Sequence, residues 1–139
     1  MTTAIVLIRG TIGTKPNIRK TLELLMLTRI NHCVLLNDEK KFAKMLNIVK
    51  DYTTWGPISK ETLNDLVEKR GRLSGNKRLP ADMVSSVIAA IEKGEKTNIK
   101  SVFRLHPPRK GLKDKKVKFP RGDLGYRGEA MNLLLKRMI

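Results

Sequence analysis

A basic segment near the end of the chain holds the side chains with the clearest chemistry. Residues 100–127 contain ten Lys and Arg residues against only Asp114 and Asp123, which gives +8 of the chain's net charge of +16. Glycine and proline interrupt the segment so often that no long regular element is expected there. A segment with one sign of charge repels itself, so it is predicted to stay extended until a polyanion neutralises it. Phosphate fits that role, and the chain is predicted to bind nucleic acid.

Three groups of basic residues are the predicted phosphate contacts, because Arg binds phosphate through two parallel hydrogen bonds and Lys supplies a point charge. The first group lies in the basic segment and comprises Arg104, Arg109, Lys110, Lys113, Lys115, Lys116, Lys118, Arg121 and Arg127. The second lies in the 69–78 loop and comprises Arg70, Arg72, Lys77 and Arg78. Lys15 and Arg19 form the third, since the N-terminus of a predicted helix beside them adds partial positive charge. Tyr126 is the candidate for stacking on a base, whereas Trp55 either stacks on a base or closes the edge of the core.

Catalytic and metal-binding chemistry has weaker support. His32 and His106 are candidates for an acid–base pair in RNA cleavage, but nothing in the sequence places them together. The GTIG sequence at residues 10–13 lacks the Lys-Ser/Thr pair of a phosphate-binding P-loop. The lone Cys33 allows neither an internal disulfide nor a metal-ligand pair, which fits a reducing cytoplasm, and it is expected to be a small buried hydrophobic residue. Asp38 is expected to cap a helix, so no catalytic site, metal site or cofactor is predicted.

The first 56 residues are predicted to form a β-α-β-α-β unit with two helices on one face of a small sheet. The first strand, residues 4–9, is apolar on both faces, as in a central strand. The first helix is expected to follow a Thr14 cap, with Leu22, Leu24 and Leu25 on its apolar face. The remaining predicted elements of this unit are a strand over 31–38, a helix over 39–51 and a strand over 52–56.

The rest of the chain is predicted to be mainly helical apart from the basic segment. One helix is capped by Ser59 and ended by Gly71, and a second extends over residues 81–93 with Gly94 beyond its end. A strand over 99–106 leads into the basic segment. A closing helix begins near residue 129 with Leu133 and Leu134 on its apolar face.

Composition limits the class of protein. At 139 residues with 40% hydrophobic residues, one compact domain is expected. Aromatic residues make up only 4%, which argues against binding single strands by a row of stacking rings. No apolar run approaches the roughly 18 residues of a membrane span. The longest run, residues 4–8, follows MTT without a basic region, so a signal peptide is not expected.

Several stretches resemble a family of large-subunit ribosomal proteins, called protein thirty in bacteria and archaea and protein seven in eukaryotes. The stretch TLELLMLTRINHCVLLND, residues 21–38, resembles the family signature, in which a Leu-rich helix ends in a basic residue shortly before a His. The stretches IRGTIGTKP at 8–16 and YTTWG at 52–56 resemble the family's first loop and third strand.

The second half resembles the archaeal and eukaryotic branch of that family. The relevant stretches are FRLHPPRKG at 103–111 and PRGDLGYRGEAMNLLLKRM at 120–138, with Lys110 and Arg121 where glycine is common. Bacterial members stop soon after the third strand, and eukaryotic members carry a long basic extension before the first. A first strand beginning at residue 4 and a long second half therefore favour the archaeal type.

The resemblance implies a structural constituent of the large ribosomal subunit that binds ribosomal RNA and has no enzymatic activity. The implied fold is α+β: a three-stranded sheet of order 3-1-2, similar to ferredoxin-like folds, with helices on one face. The chain would divide into a ribosomal core at 1–56, a helical insertion at 57–98, and a strand, RNA-binding extension and closing helix at 99–139. The implied partners are large-subunit ribosomal RNA, with 5S ribosomal RNA close by, and neighbouring ribosomal proteins. The chain would be a monomer within the cytoplasmic ribosome, with no cofactor and no membrane contact.

Two other classes of function remain open on sequence grounds. A small RNA-processing or RNA-modifying enzyme on a ferredoxin-like scaffold would need titratable groups that converge in a pocket. A DNA-binding architectural protein would need a helix rich in Arg, Asn and Gln to enter a major groove, and no predicted helix has that composition.

Overall fold

The first strand lies at the centre of the sheet and is buried along its whole length. The structure, a computed structural model, describes residues 2–139. Strand β1 (Thr3–Leu7) has the sequence TAIVL and is buried at every position. Strands β2 (His32–Leu36) and β3 (Thr53–Pro57) flank it, both antiparallel to it. The predicted α+β class is therefore confirmed, and these three strands lie in the order 3-1-2.

Two further strands extend the sheet to five, so the predicted three-stranded sheet is wrong. Strand β4 (Val102–Arg104) pairs antiparallel with β2, and β5 (Gly125–Tyr126) pairs parallel with β3, which gives the order β4-β2-β1-β3-β5. The strand predicted over 99–106 is thus only three residues long, and β5 was not predicted. Both cover backbone groups that β2 and β3 would otherwise leave unpaired. Elements of two or three residues are too short to show alternating hydrophobicity.

Two helices cover one face of the sheet. Helix α1 (Pro16–Leu24) and helix α2 (Glu39–Val49) bury Leu22 and Leu46 against Ile5 and Leu7 of β1. Asp38 caps α2 as predicted, since its carboxylate accepts a hydrogen bond from the Lys40 amide at 3.1 Å.

Two details of α1 differ from the prediction. Its N-cap is Lys15, while the Thr14 hydroxyl donates to the Thr11 carbonyl at 2.7 Å and stabilises the preceding turn. Leu24, predicted to lie on the apolar face, is exposed because α1 ends there and the chain turns away at Met26, which has a φ of 61°.

The two helices of the first unit share one face as predicted, and three further helices, to which the prediction assigned no face, cover the other. They are α3 (Lys60–Arg70), α4 (Ala81–Lys93) and α5 (Ala130–Met138). Leu66 of α3, Val87 of α4 and Leu134 of α5 belong to the same buried cluster as Ala4 and Val6 of β1. Because alternate residues of β1 project into two separate cores, each face of the sheet needs its own helical cover.

Helix ends with local signals in the sequence lie where they were predicted. The Ser59 hydroxyl accepts a hydrogen bond from the Thr62 amide at 3.3 Å, and α4 ends at Gly94, whose φ of 77° is the left-handed conformation of a helix C-cap. Leu134 is buried, but Leu133 is 68% exposed, so its predicted place on the apolar face of α5 is wrong. Cys33 is buried as predicted, and burial raises the pKa of its thiol to about 12.

Candidate nucleic-acid interface

The sheet topology brings the basic loops to one end of the molecule. Strands β1 and β4 end there, and β2, β3 and β5 begin there, as the pairs Leu7–Thr53 and His32–Arg104 show. The loop after β1, the turn after β4 and the loop before β5 therefore leave the sheet at the same end. These connections contain most of the predicted phosphate contacts.

Most predicted contacts in the basic segment are exposed. The exposed residues are Arg104, Arg109, Lys110, Lys113, Lys115, Lys116, Lys118 and Arg121. Within residues 2–139, none of these eight side chains forms an ion pair with an acidic residue. Unpaired positive charges at one end of a small domain produce a positive potential that attracts polyanions.

The turn after β4, residues 106–111, is held by the end of α5. The Arg109 amide donates to the Arg137 carbonyl at 3.1 Å, and the Arg137 guanidinium donates to the carbonyls of Arg109 and Gly111. Lys110 has a φ of 65°, a left-handed conformation that a non-glycine residue adopts only at a cost in strain. Its side chain is exposed, so the turn presents a cation at this point.

The loop before β5, residues 113–124, is folded rather than extended, contrary to the prediction from its charge. Its two acidic residues organise it. The Asp123 carboxylate accepts from the Asp114 amide at 3.1 Å, the Asp123 amide donates to the Asp114 carbonyl at 2.9 Å, and the Asp114 carboxylate accepts from the Lys116 amide at 2.8 Å. Gly122 is required there, since a Cβ would collide with the Val117 carbonyl oxygen. These bonds fix the backbone while the lysines remain exposed.

Arg127 was predicted to contact phosphate, and the structure corrects this. Its side chain is only 6% exposed and forms an ion pair with the Asp123 carboxylate at 3.1 Å. Its Nε donates to the Thr54 hydroxyl at 2.9 Å, and its guanidinium lies over the Phe119 ring. Burial lowers the pKa of Arg127, whereas the hydrogen bond and charge of Asp123 act in the opposite direction. The Arg127 guanidinium therefore connects the 113–124 loop to β3 through hydrogen bonds and is not available to bind a phosphate.

The 69–78 loop forms a second basic surface beside the first. Its backbone bonds to the segment leading into β4, because the Lys100 amide donates to the Arg72 carbonyl at 2.8 Å. Lys77 and Arg78 are exposed, and Arg70 and Arg72 are half-buried. An open depression there is lined by Lys69, Arg70, Arg72 and Arg78, together with Glu68 and Ile139. The Ile139 carbonyl also lies 2.8 Å from the His106 ring, so the two basic surfaces are neighbours.

The third predicted group is exposed on the loop after β1 and on α1. The Arg19 guanidinium donates to the Thr11 carbonyl at 3.3 Å, which holds it over that loop, and Lys15 is exposed. Sequence reasoning missed Arg9 and Arg29 as members of this surface. Arg9 lies two residues after β1 and Arg29 shortly precedes β2, so antiparallel pairing of those strands is the signal that places both at this end.

Tyr126 and Trp55 lie next to each other. They are register partners on β5 and β3, and Tyr126 is 55% exposed while Trp55 is half-buried against the α1–α2 core. Both earlier interpretations of Trp55 are compatible with this position, because one part of the ring closes the core and another lines a groove.

Comparison with known proteins identifies the family. The family described as ribosomal protein L30p/L7e matches residues 3–53. Proteins named large ribosomal subunit protein uL30 are similar over the full chain. The Methanococcus maripaludis protein is 44% identical over 100% of both chains, and the Archaeoglobus fulgidus protein is 41% identical over 97% of this chain and 98% of its own. The chain belongs to the uL30 family.

The extent of the similarity bears on the basic segment. The family match covers β1 to the start of β3, whereas the Methanosphaera stadtmanae uL30 protein is 44% identical over 98% of this chain and 99% of its own length. The sequence similarity to these uL30 proteins therefore extends beyond β3 over the second half of the chain.

The two histidines of this uL30 family member have different environments. The His106 ring nitrogens each lie 2.8 Å from a backbone oxygen, of Pro107 and Ile139, so both face backbone acceptors and neither faces His32. The His32 Nδ1 atom is buried and has no hydrogen-bond partner within residues 2–139. Burial lowers the pKa of His32, and the nearby charges of Arg104 and Arg29 lower it further.

The free energy of unfolding should decrease as the pH is lowered, because His32 binds a proton less readily in the folded chain than in the unfolded chain. The unfolded chain takes up a proton near the ordinary pKa of 6.5, while the folded chain takes it up only at a lower pH. Stability is therefore lost as pH falls below about 6.5 and levels off below the folded-state pKa. Urea unfolding between pH 5 and 8 measures this, with His32→Gln as the control. Identical profiles for the two proteins would contradict the assignment.

The described part of the chain offers neither a metal centre nor a membrane span. Within residues 2–139, no cluster of three or more His, Cys, Asp or Glu side chains is placed to hold a metal ion. In the same range, no helix combines the length and hydropathy that crossing a bilayer requires.

Proposed function

We propose that the chain binds ribosomal RNA in the large ribosomal subunit through the basic surface described above. The proposed contacts are Arg104, Arg109, Lys110, Lys113, Lys115, Lys116, Lys118 and Arg121, joined by Arg70, Arg72, Lys77, Arg78, Lys15 and Arg19. Tyr126 is proposed to stack on a base. Arg127 is withdrawn from the set because it is buried in an ion pair.

The proposal rests on one observation: exposed basic side chains without acidic partners project from a backbone that hydrogen bonds hold in place. Eight exposed basic side chains of the basic segment lack acidic partners within residues 2–139, yet hydrogen bonds hold the backbone of that segment. A protein that needed charge only for solubility would not need a fixed backbone beneath it. Folded RNA presents phosphates in a fixed arrangement, and a preorganised set of cations binds it with a smaller loss of entropy.

The surroundings proposed for this surface follow from family membership. We place the chain as a monomer within the cytoplasmic ribosome, near 5S ribosomal RNA and neighbouring ribosomal proteins. Crosslinking of an azide-labelled Lys113→Cys variant in assembled large subunits tests the 5S neighbourhood. A Cys33→Ala background removes the only other thiol.

The enzymatic alternative has no support from the geometry. Both His106 ring nitrogens face backbone acceptors, and the His32 ring is flanked by Arg104 and Arg29. An RNA-cleaving pair would need one ring ready to accept a proton and another ready to donate one at the same phosphate.

Neutralising three lysines of the 113–124 loop should weaken RNA binding without affecting the fold. In a Lys113→Gln/Lys115→Gln/Lys116→Gln variant, the slope of log affinity against log salt for large-subunit ribosomal RNA should fall by about 1 per lysine. Filter binding at several salt concentrations measures the slope. All three side chains are exposed, so the thermal unfolding temperature should hardly change.

A matched control separates a local surface from net charge. Lys40→Gln/Lys44→Gln/Lys60→Gln removes the same charge from the exposed faces of α2 and α3. This variant should retain the salt slope of the unmodified protein. Equal losses in the two triple variants would show that binding depends on total charge and not on the proposed surface.

A further inference from the structure

We infer that the groove between α2 and the β3–β5 edge of the sheet is a pocket for one unpaired nucleobase of the bound RNA. This inference rests on the proposed function and adds a defined subsite to it. The groove has a volume of about 380 Å³. That is within the range of roughly 300–1,000 Å³ found for small-molecule sites.

The aromatic wall of the groove is formed by two neighbouring strands. Trp55 and Tyr126 are register partners in parallel β3 and β5, so their side chains project from the same face of the sheet. Trp55 packs against the α1–α2 core, which fixes its position, whereas Tyr126 is 55% exposed. An exposed ring next to a fixed ring gives a flat apolar surface on which an unpaired base can stack.

The opposite wall is formed by α2 and leaves room for a ring. Ala43 and Leu46 contribute small and apolar surface there, and Asn47 supplies an amide that can donate to and accept from the edge of a base. The Glu39 carboxylate also lines the groove, where it can accept a hydrogen bond from the edge of a base and would repel a phosphate. A mainly apolar slot with an amide and a carboxylate at its wall therefore suits a planar heterocycle better than a phosphate.

Cations lie at the groove where the backbone of the RNA would pass. Lys50 lines it from the end of α2, and Lys118 lines it from the basic segment. The position of Lys118 is set by a bridge to Leu124 and by the Gly122 amide, which donates to the Lys118 carbonyl at 2.9 Å. A phosphate neutralised by Lys118 would belong to the same strand as phosphates bound by the rest of the basic segment. The groove is thus continuous with the proposed RNA surface.

Binding of short RNA oligomers tests this inference, with Trp55 as the reporter because it is the only tryptophan. The probes are hexaadenylate and an abasic ribose-phosphate hexamer of the same charge. Hexaadenylate should quench Trp55 fluorescence and bind more tightly than the abasic hexamer. Tyr126→Ala should weaken hexaadenylate binding about 5- to 150-fold, the range for losing one base–aromatic stack, while binding of the abasic hexamer stays unchanged.

Tyr126→Phe is the matched control, because it keeps the ring and should keep the affinity for hexaadenylate. Equal affinity of the unmodified protein for the two hexamers, or an unchanged hexaadenylate affinity in Tyr126→Ala, would overturn the inference. If ribosomal RNA binding still depends on Lys113, Lys115 and Lys116 in that case, the proposed function stands and only the base pocket falls. If neither hexamer nor ribosomal RNA binds, both fall.

Discussion

Asp123→Ala should lower the free energy of unfolding by about 3–5 kcal/mol, because it leaves the buried Arg127 guanidinium without its counter-charge. The two side chains are 8% and 6% exposed and lie 3.1 Å apart. The same substitution removes the acceptor of the Asp114 amide, so the 113–124 loop should lose its fixed path. Affinity for ribosomal RNA should therefore fall even though the variant is more positively charged than the unmodified protein. Urea unfolding and filter binding measure the two effects.

Two comparisons make this prediction specific. Asp51→Ala removes an exposed carboxylate that forms no ion pair within residues 2–139, and it should change stability by no more than about 0.5 kcal/mol. Asp123→Leu/Arg127→Met removes both buried charges and should recover much of the stability that the single substitution loses. It should not recover RNA affinity, because the Asp114 amide still lacks its acceptor. Additive stability losses would show that the two residues do not act as a pair.

The fold was most predictable where the signal was local. The bounds of α4, the Ser59 cap and the Asp38 cap depend on residues within one helical turn, and the sequence displays them directly. Thr14 had the same residue type as a good cap but was used by the turn before it. Which of two competing local bonds forms depends on the path of the chain.

Long-range structure was less predictable for two physical reasons. Strands β4 and β5 have three and two residues, and their pairing depends on the free edges of β2 and β3 rather than on their own composition. The second helical layer was in fact implied by β1, since a strand apolar on both faces needs cover on both. The prediction placed the two helices of the first 56 residues on one face and assigned no face to the later helices.

In the candidate site, too, features set by neighbouring residues were predictable and features set by distant residues were not. Its location was predictable because basic residues cluster in the sequence, but the role of each residue was not. Arg127 has the same residue type as Arg121, yet one is buried and the other exposed. The difference comes from Asp123 and Thr54, and the Thr54 bond closes only when β5 pairs with β3. The two acidic residues, which looked like minor reductions in charge, turned out to hold the loop.

Salt should weaken binding to ribosomal RNA by a large factor. If six to ten of the proposed basic residues contact phosphate together, affinity should fall roughly 10³- to 10⁵-fold between 50 and 200 mM monovalent salt. The physical reason is the release of counterions from the RNA, which becomes less favourable as the salt concentration rises. Filter binding or fluorescence titration over this range measures the slope, and about six contacts is the smallest number consistent with the prediction.

The shape of the RNA provides the control for that measurement. Duplex DNA with the same number of phosphates lacks the folded arrangement of the RNA. It should therefore compete weakly at 200 mM salt, because this salt concentration weakens phosphate contacts that the protein does not preorganise. A slope that corresponds to only two or three contacts would mean that most of the eight exposed side chains point into solvent when RNA is bound. A steep slope with equal binding of DNA would mean that charge alone, without the fixed backbone of the basic segment, accounts for affinity. Only a steep slope together with preference for the folded RNA agrees with cations held in place by Asp114, Asp123 and α5.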